Sequence, residues 1–281
     1  MTTIAVTGAT GQLGRLAIAA LKARGAAPIA LARDPAKAAD LGVEVRAFDY
    51  FRADAAALKG VDVLVLISTN DFNDRVGQHR RVIAAAKAAG VKRVVYTSIL
   101  RADSSAMKAL ASDHAATEEA LKAAGLTSTL LRNGWYTENY TGALGAAIAH
   151  GAVIGAAGEG KISSAARKDY AEAIAVTALG EGHDNRVYEL AGDTAHTGAE
   201  FAAAVAAASG KPVAYVNLSE ADYAKALEGF GLPAGFAATL AECDYQSGHG
   251  ALFDDSHTLS RLIGRPTTPM AETVAAAVKA L

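Results

Sequence analysis

The sequence predicts an α/β chain built on a doubly wound parallel sheet, followed by a smaller, mostly helical region. Three observations carry this. Short apolar runs recur at 4–6, 28–31, 43–48, 61–67, 91–97 and 127–131, and stretches of helical periodicity separate them. The run Val61-Asp62-Val63-Leu64-Val65-Leu66-Ile67 is apolar at nearly every position, as in a central parallel strand covered on both faces. Three glycines, Gly8, Gly11 and Gly14, stand three residues apart between the first apolar run and the first helical one. Strands alternating with helices at this rhythm make right-handed βαβ units. The fold class expected is therefore a Rossmann-type sheet.

In order, Ile4 to Val6 is the first strand and 12–22 the first helix, with Leu13, Leu16, Ala17, Ala20 and Leu21 on one face. The second strand, 28–31, ends at Ala32-Arg33-Asp34-Pro35. There Pro35 suits a first helical turn and Asp34 its cap. A third strand at 43–48 precedes a helix at 52–59. The strand at 61–67 leads through a polar loop, 68–74, into a helix at 75–89 closed by Gly90. A fifth strand at 91–97, a helix at 105–124 and a sixth strand at 127–131 complete the series. The rhythm then changes: aromatic and amide residues gather at 133–140, and 151–160 reads as a glycine-rich stretch. Arg167 starts another helix, 187–190 rejoins the sheet, and 212–216 is one more short strand. The division expected is a dinucleotide-binding domain over 1–134, its sheet rejoined near 177–192, and a substrate-side region over 135–281.

Composition narrows the class. In 281 residues, 51% are hydrophobic, which allows a sizeable core, and the net charge of −2 gives nucleic acid no hold. Cys243 is the only cysteine, so an intrachain disulfide is excluded; it reads as a small core residue. No apolar run is long enough to span a bilayer, and the N-terminus carries no signal-peptide pattern. A cytoplasmic protein without membrane insertion is expected, its oligomeric state open and a dimer allowed. No His, Cys and carboxylate set has ligand spacing, so neither metal nor flavin is expected.

The glycines carry the chemistry. A strand, a glycine turn and a helix form a cradle in which the backbone approaches a pyrophosphate and the helix N-terminus faces it. This assigns Gly8, Ala9, Thr10, Gly11, Gln12, Leu13 and Gly14 to a dinucleotide. The end of the second strand chooses the cofactor. An acid there holds a ribose 2′-hydroxyl, whereas Arg33 offers a fork for a 2′-phosphate, so NADPH is expected. In an open parallel sheet the ligand lies beyond the C-terminal strand ends. That adds Asp49 and Tyr50 near the adenine, then Ser68, Thr69, Asn73, Asp74, Gln78, Thr97, Asn133, Gly134 and Trp135. For the acceptor, Trp135, Tyr136 and Tyr140, with Phe72 and Phe253, offer a flat apolar slot, and Asn139 a hydrogen bond. Core packing competes for each of the aromatics.

The runs Thr7-Gly8-Ala9-Thr10-Gly11-Gln12-Leu13-Gly14, Leu31-Ala32-Arg33-Asp34-Pro35 and Leu130-Leu131-Arg132-Asn133-Gly134-Trp135-Tyr136 resemble the atypical short-chain dehydrogenases of the NmrA-like group. Further runs at 155–161, 188–193, 217–222 and 252–256 extend the likeness along essentially the whole chain, toward its bacterial NADPH-dependent quinone oxidoreductases of the second type. The resemblance implies hydride transfer from NADPH to a small-molecule quinone. Two rivals stand beside it: a non-catalytic NADP-binding redox sensor, and a reductase of another flat conjugated acceptor such as a dye or enone. One departure matters. The wider superfamily places a Tyr-x-x-x-Lys pair on the helix after the fifth strand; Leu110 and His114 stand at those positions here. His114 is then a ribose donor or a proton source, or it pairs with Glu118 one turn later. A quinone needs little acid help, because hydride arrival gives a stabilised hydroquinone anion.

Overall fold

The computed structural model of the chain describes residues 2–71 and 73–281. Its elements run β1 (Ile4–Val6), α1 (Gln12–Ala23), β2 (Ile29–Ala32), β3 (Val45–Ala47), β4 (Val63–Leu66), α2 (Arg75–Ala88), β5 (Arg93–Ile99), α3 (Lys108–Ala124) and β6 (Thr127–Asn133). There follow α4 (Glu138–Thr141), α5 (Leu144–His150), β7 (Ala152–Gly155), α6 (Arg167–Leu179), β8 (Val187–Leu190), α7 (Gly198–Ser209) and β9 (Ala214–Asn217). The chain ends with α8 (Glu220–Gly229), α9 (Ala234–Ser247), α10 (Thr258–Ile263) and α11 (Met270–Lys279). It divides into two compact units. One holds Met1–Ala102, Ser112–Asn133 and Arg167–Glu189, and the other Asp103–Ala111, Gly134–Ala166 and Leu190–Leu281.

The first unit is a seven-stranded sheet in the order β3-β2-β1-β4-β5-β6-β8. β1 through β6 pair in parallel. β8 runs the same way, since the Leu130 N–H meets the Arg186 carbonyl and Gly134 that of Leu190. The order reverses between β1 and β4, which makes the gap beyond their C-terminal ends the switch point of the sheet. Strand alternation explains the two-sided burial. Ala5, Leu64, Leu66, Val94 and Tyr96 join Val82, Ile83 and Leu121 in one core layer, while Ile4, Val6, Val63, Val65 and Val95 are buried outside that layer. α1 and α6 pack on each other.

In the second unit, β7 and β9 pair in parallel as a separate two-stranded sheet. Leu144, Phe201, Val205 and Val274 build a core among α5, α7 and α11.

Three local readings change. The expected helix at 52–59 is a pair of 3₁₀ turns, Tyr50–Arg52 and Ala55–Leu58. Asp49 and Asp54 each accept a backbone N–H two residues on, from Phe51 and Ala56, and these side-chain turns outcompete a continuous helix. The glycine-rich stretch at 151–160 contains β7, whose partner lies some sixty residues on, Ala152 facing Ala214. Strands four and five begin about two residues later than their apolar runs. Asp62 is occupied by the Thr3 N–H and by Lys92, which fixes the approach to both.

The glycines differ in what they permit. A Cβ on Gly14 would stand 2.2 Å from the Gly8 carbonyl oxygen, so α1 cannot pack on its own turn with any side chain there. On Gly11 the nearest atom is the same oxygen at 3.3 Å, and the backbone is ordinary extended. Gly14→Ala is expected to lower stability by about 1–3 kcal/mol, the scale of overpacking, while Gly11→Ala keeps most of it. Chemical denaturation of both variants tests this; equal stabilities would refute it.

Candidate functional site

The site begins with Thr7, the last residue before the glycine turn. Its hydroxyl donates to the Val65 carbonyl at 3.1 Å and accepts from the Ile67 N–H at 3.0 Å and the Tyr50 hydroxyl at 2.6 Å. The Tyr50 hydroxyl also lies 2.7 Å from the Ile67 carbonyl. One side chain thus ties the ends of β1 and β4 to the turn after β3. Gly8 follows with φ +59°, a conformation glycine takes without cost, and the Gly11 N–H closes back on the Gly8 carbonyl at 2.9 Å.

Gly11 is the N-cap of α1 and supplies no side-chain cap, and no acid stands in the first turn. The first N–H groups of the helix therefore face outward beside a turn that carries no side-chain bulk at 8, 11 and 14, which suits a pyrophosphate. At the end of β2, Asp34 accepts from the Ala36 N–H at 3.1 Å and so caps the next turn. Arg33 beside it is exposed and makes no hydrogen bond among the described residues.

The loop after β4 is held from behind. Ser68 donates its N–H to Thr97 Oγ1 at 2.9 Å, so these two expected residues do meet. The Thr69 N–H donates to His79 Nε2 at 3.1 Å, and the Thr69 carbonyl accepts from Arg75 Nε at 3.0 Å. Accepting at Nε2 places the His79 proton on Nδ1, which donates to Thr117 Oγ1 at 2.9 Å; Thr117 in turn donates to the Asp113 carbonyl. Gln78, expected at the cofactor, is buried and gives its amide to Asp71 at 2.8 Å. The Asn73 N–H also bonds Asp71, and Asp74 stands at the N-cap position of α2 without a side-chain cap, its carboxylate pairing with Arg81. Phe72 lies outside the described residues.

His114 is buried, with Nδ1 2.9 Å from the Tyr96 hydroxyl. The local pairing with Glu118 does not form: that carboxylate is held by Arg132 at 2.7 and 3.0 Å and by the Ser98 hydroxyl at 2.6 Å. A long-range guanidinium with two matched donors outcompetes a neighbour one turn away. Arg132 reaches Glu189 as well, at 2.9 Å, so β5, α3, β6 and β8 share one buried ionic network. The superfamily's tyrosine is absent from α3, but a phenol reaches His114 from β5 instead. Tyr96 alternates into the core layer with Val94, and nothing local in the sequence marks it as that partner.

Electrostatics follow from burial. Desolvation, then the Arg75 charge, takes His79 down to about 3. The same causes, with His79 added, hold His114 well below its ordinary value. Both imidazoles are neutral at neutral pH. Burial pushes the Tyr50 and Tyr96 phenols above their ordinary range and the Cys243 thiol up to about 12, so Cys243 is the inert core residue expected.

In the second unit, Trp135 and Tyr136 are half-buried and Asn139 exposed. The Ala165 N–H donates to the Trp135 carbonyl. Tyr140 turns into this unit's own interior, its ring 5.4 Å from Phe201 and its hydroxyl on the Asp244 carboxylate. Phe253 is 37% exposed. Asn133 is buried at the end of β6 and its carbonyl accepts from Leu100, while Gly134 bonds Leu190.

The neutral histidines set an acid limit. The unfolded chain protonates them below about pH 6.5 and the folded chain does not, so stability falls as pH falls, by about 1.4 kcal/mol per unit for each group. His79→Gln, which can still accept from Thr69 and donate to Thr117, is expected to lose about one proton's worth of that slope between pH 6.5 and 5. Denaturation midpoints across this range check it; a slope equal to the parent's would show that His79 is charged in the fold.

Comparison with known proteins agrees with this geometry. Over 278 residues the chain is 52% identical to quinone oxidoreductase 2 of Escherichia coli, covering 96% of this chain and 97% of that one. It superposes on the solved NADPH complex of the NADPH-dependent quinone oxidoreductase QOR2 of Escherichia coli with a TM-score of 0.92, covering 98% and 99% of the two chains at 52% identity. The Citrobacter sp. triphenylmethane reductase superposes with a TM-score of 0.91 at 37% identity, covering 99% of each. Residues 8–179 match the NAD(P)H-binding family, and with its uncapped glycine turn at the switch point of a parallel sheet the chain belongs to that family.

Proposed function

We propose that this chain is an NADPH-dependent quinone reductase that works without flavin or metal, in the cytoplasm. The observation that carries the proposal is the pairing of an uncapped glycine turn with an unengaged Arg33 at the end of β2, in a chain similar over its whole length to a quinone oxidoreductase. When bound, NADPH supplies the hydride. The chain's own residues hold its phosphates, orient its ribose and receive the acceptor. Ser68, Thr69 and Thr97 form the strand-end rim, with Thr69 held from below by His79 and Arg75.

In this reading His114 orients rather than protonates. Its Nδ1 is held by Tyr96, which leaves Nε2 to face a ribose hydroxyl, and an imidazole kept neutral by burial has no acidic proton to give near pH 7. A quinone accepts this, since its reduction gives a stabilised aryl oxide that water protonates. On the acceptor side the proposal rests on Tyr136, Asn139, Trp135 and Phe253. Tyr140, whose phenol is spent on Asp244, acts at most through packing.

Anaerobic NADPH oxidation with a panel of quinones tests the function. One hydroquinone per NADPH supports it. Binding without turnover would favour a sensor, and turnover confined to a dye or an enone another acceptor class.

Arg33→Ala is expected to weaken NADPH by about 1.5–3 kcal/mol, the scale of a charge-assisted hydrogen bond, with little change for NADH. Fluorescence titration of both cofactors decides; equal losses would refute the 2′-phosphate assignment.

His114→Ala is expected to lower turnover by about ten- to a hundredfold, as when a positioning contact is lost, and His114→Gln to recover part of it. The parent's pH–rate profile should lack a histidine step between pH 6 and 7. A step there that vanishes in His114→Gln would instead make His114 the acid.

A further inference from the structure

A bound pyrophosphate brings two negative charges to a turn that has none to set against them. Thr7 to Gly14 contains no charged residue, and a helix N-terminus supplies only about half a positive charge. Arg15, one residue further on, is already engaged. Its Nε donates to the Thr10 carbonyl at 3.2 Å, and its Nη atoms reach Asp40 at 2.6 Å and the Lys37 carbonyl at 2.6 Å.

A second feature of the same unit bears on this turn. α6 opens with Arg167 and Lys168, two cations at the end of a helix that repels cations. The acid in that turn, Asp169, is fully buried, whereas Arg167 is half-exposed and Lys168 exposed. The guanidinium of Arg167 donates to Gln12 Oε1, and Gln12 is the first residue of α1, directly after Gly11. The packing of α6 on α1 therefore delivers a cation to the mouth of the glycine turn. An anion lying there would meet that guanidinium as well as the N-terminus of α1.

We propose that Arg167 binds the pyrophosphate of the dinucleotide, with Gln12 fixing its guanidinium beside the N-terminus of α1. This rests on the reading of the first unit as the NADPH site and adds a residue that the glycine motif does not contain. Arg33 and Arg167 then divide the cofactor: one reads the 2′-phosphate, the other the phosphates common to NADPH and NADH.

The division gives the test. Binding of NADPH and NADH is measured by nicotinamide fluorescence, alongside thermal unfolding. Arg167→Gln is expected to weaken both cofactors about tenfold or more, the loss of a charge-assisted contact, and to leave their ratio unchanged. Arg167→Lys, which keeps the charge without the fork, should fall between parent and Arg167→Gln, and it carries the test if the glutamine variant fails to fold. Unchanged affinity for both cofactors, with a lowered unfolding temperature, would make Arg167 a tie between two helices and overturn the inference. Loss of NADPH alone would also overturn it, by moving Arg167 to the 2′-phosphate. A parent chain that binds neither cofactor would refute the underlying site reading itself, which separates that failure from this one.

Discussion

The hydroxyl of Thr7 is the constraint on which the cofactor end of the sheet depends. It has one proton and two acceptor positions, and all three are used, on Val65, Ile67 and Tyr50. β1 and β4 are the strands that flank the reversal of the sheet, so their ends are where it would splay. A buried side-chain hydrogen bond is worth little net, but an unmade one leaves a buried polar group stranded. Thr7 and Tyr50 thus hold the floor of the glycine turn at fixed height, and the turn can be bare of side chains because its support comes from below. The same logic governs the loop after β4. Thr69 is gripped through its backbone by His79 and Arg75, and its hydroxyl accepts the Asp71 N–H at 3.3 Å, so the loop is fixed from three sides.

The fold was largely legible because it is written in local patterns. The continuous apolar runs of β4 and β5, the three glycines and the cap at Asp34 each involve residues within a few positions of one another. Even β8, distant in sequence from β6, reads as a short strand rejoining the sheet at 187–190. What escaped notice depends on distant partners. β7 is four residues long and becomes a strand only beside β9. His114 and Glu118 have the spacing of a helical pair, yet each is claimed by a side chain from a strand, Tyr96 and Arg132.

The candidate site divides along the same line between local and distant partners. The glycine turn and Arg33 follow from motif and position. Gln78 and Asp49 stand near strand ends as well, and their side chains hold Asp71 and the Phe51 N–H. Polarity near a strand end has two uses, holding a ligand and holding the loop that holds a ligand, and sequence does not separate them. Tyr140 shows this for the aromatics: a ring that suits a flat acceptor is equally suited to pack at a tilt against Phe201 beside the half-buried Asp244 carboxylate.

The order of the strands bears on how the chain is made. α6 and β8 belong to the first unit, yet residues 134–166 of the second are synthesised before them. Until β8 emerges, β6 is a bare edge with a row of unpaired backbone groups, and Leu130 and Gly134 have no carbonyls to meet. An open edge of this kind invites pairing with another chain. The nascent sheet is thus exposed through the interval in which the second unit has only begun. Arg93 stays unsatisfied for the same interval, because the carbonyls of Ala178 and Gly180 that it binds lie at the end of α6. The interleaving that completes the fold therefore makes its first 133 residues, glycine turn included, an incomplete body rather than an independent domain.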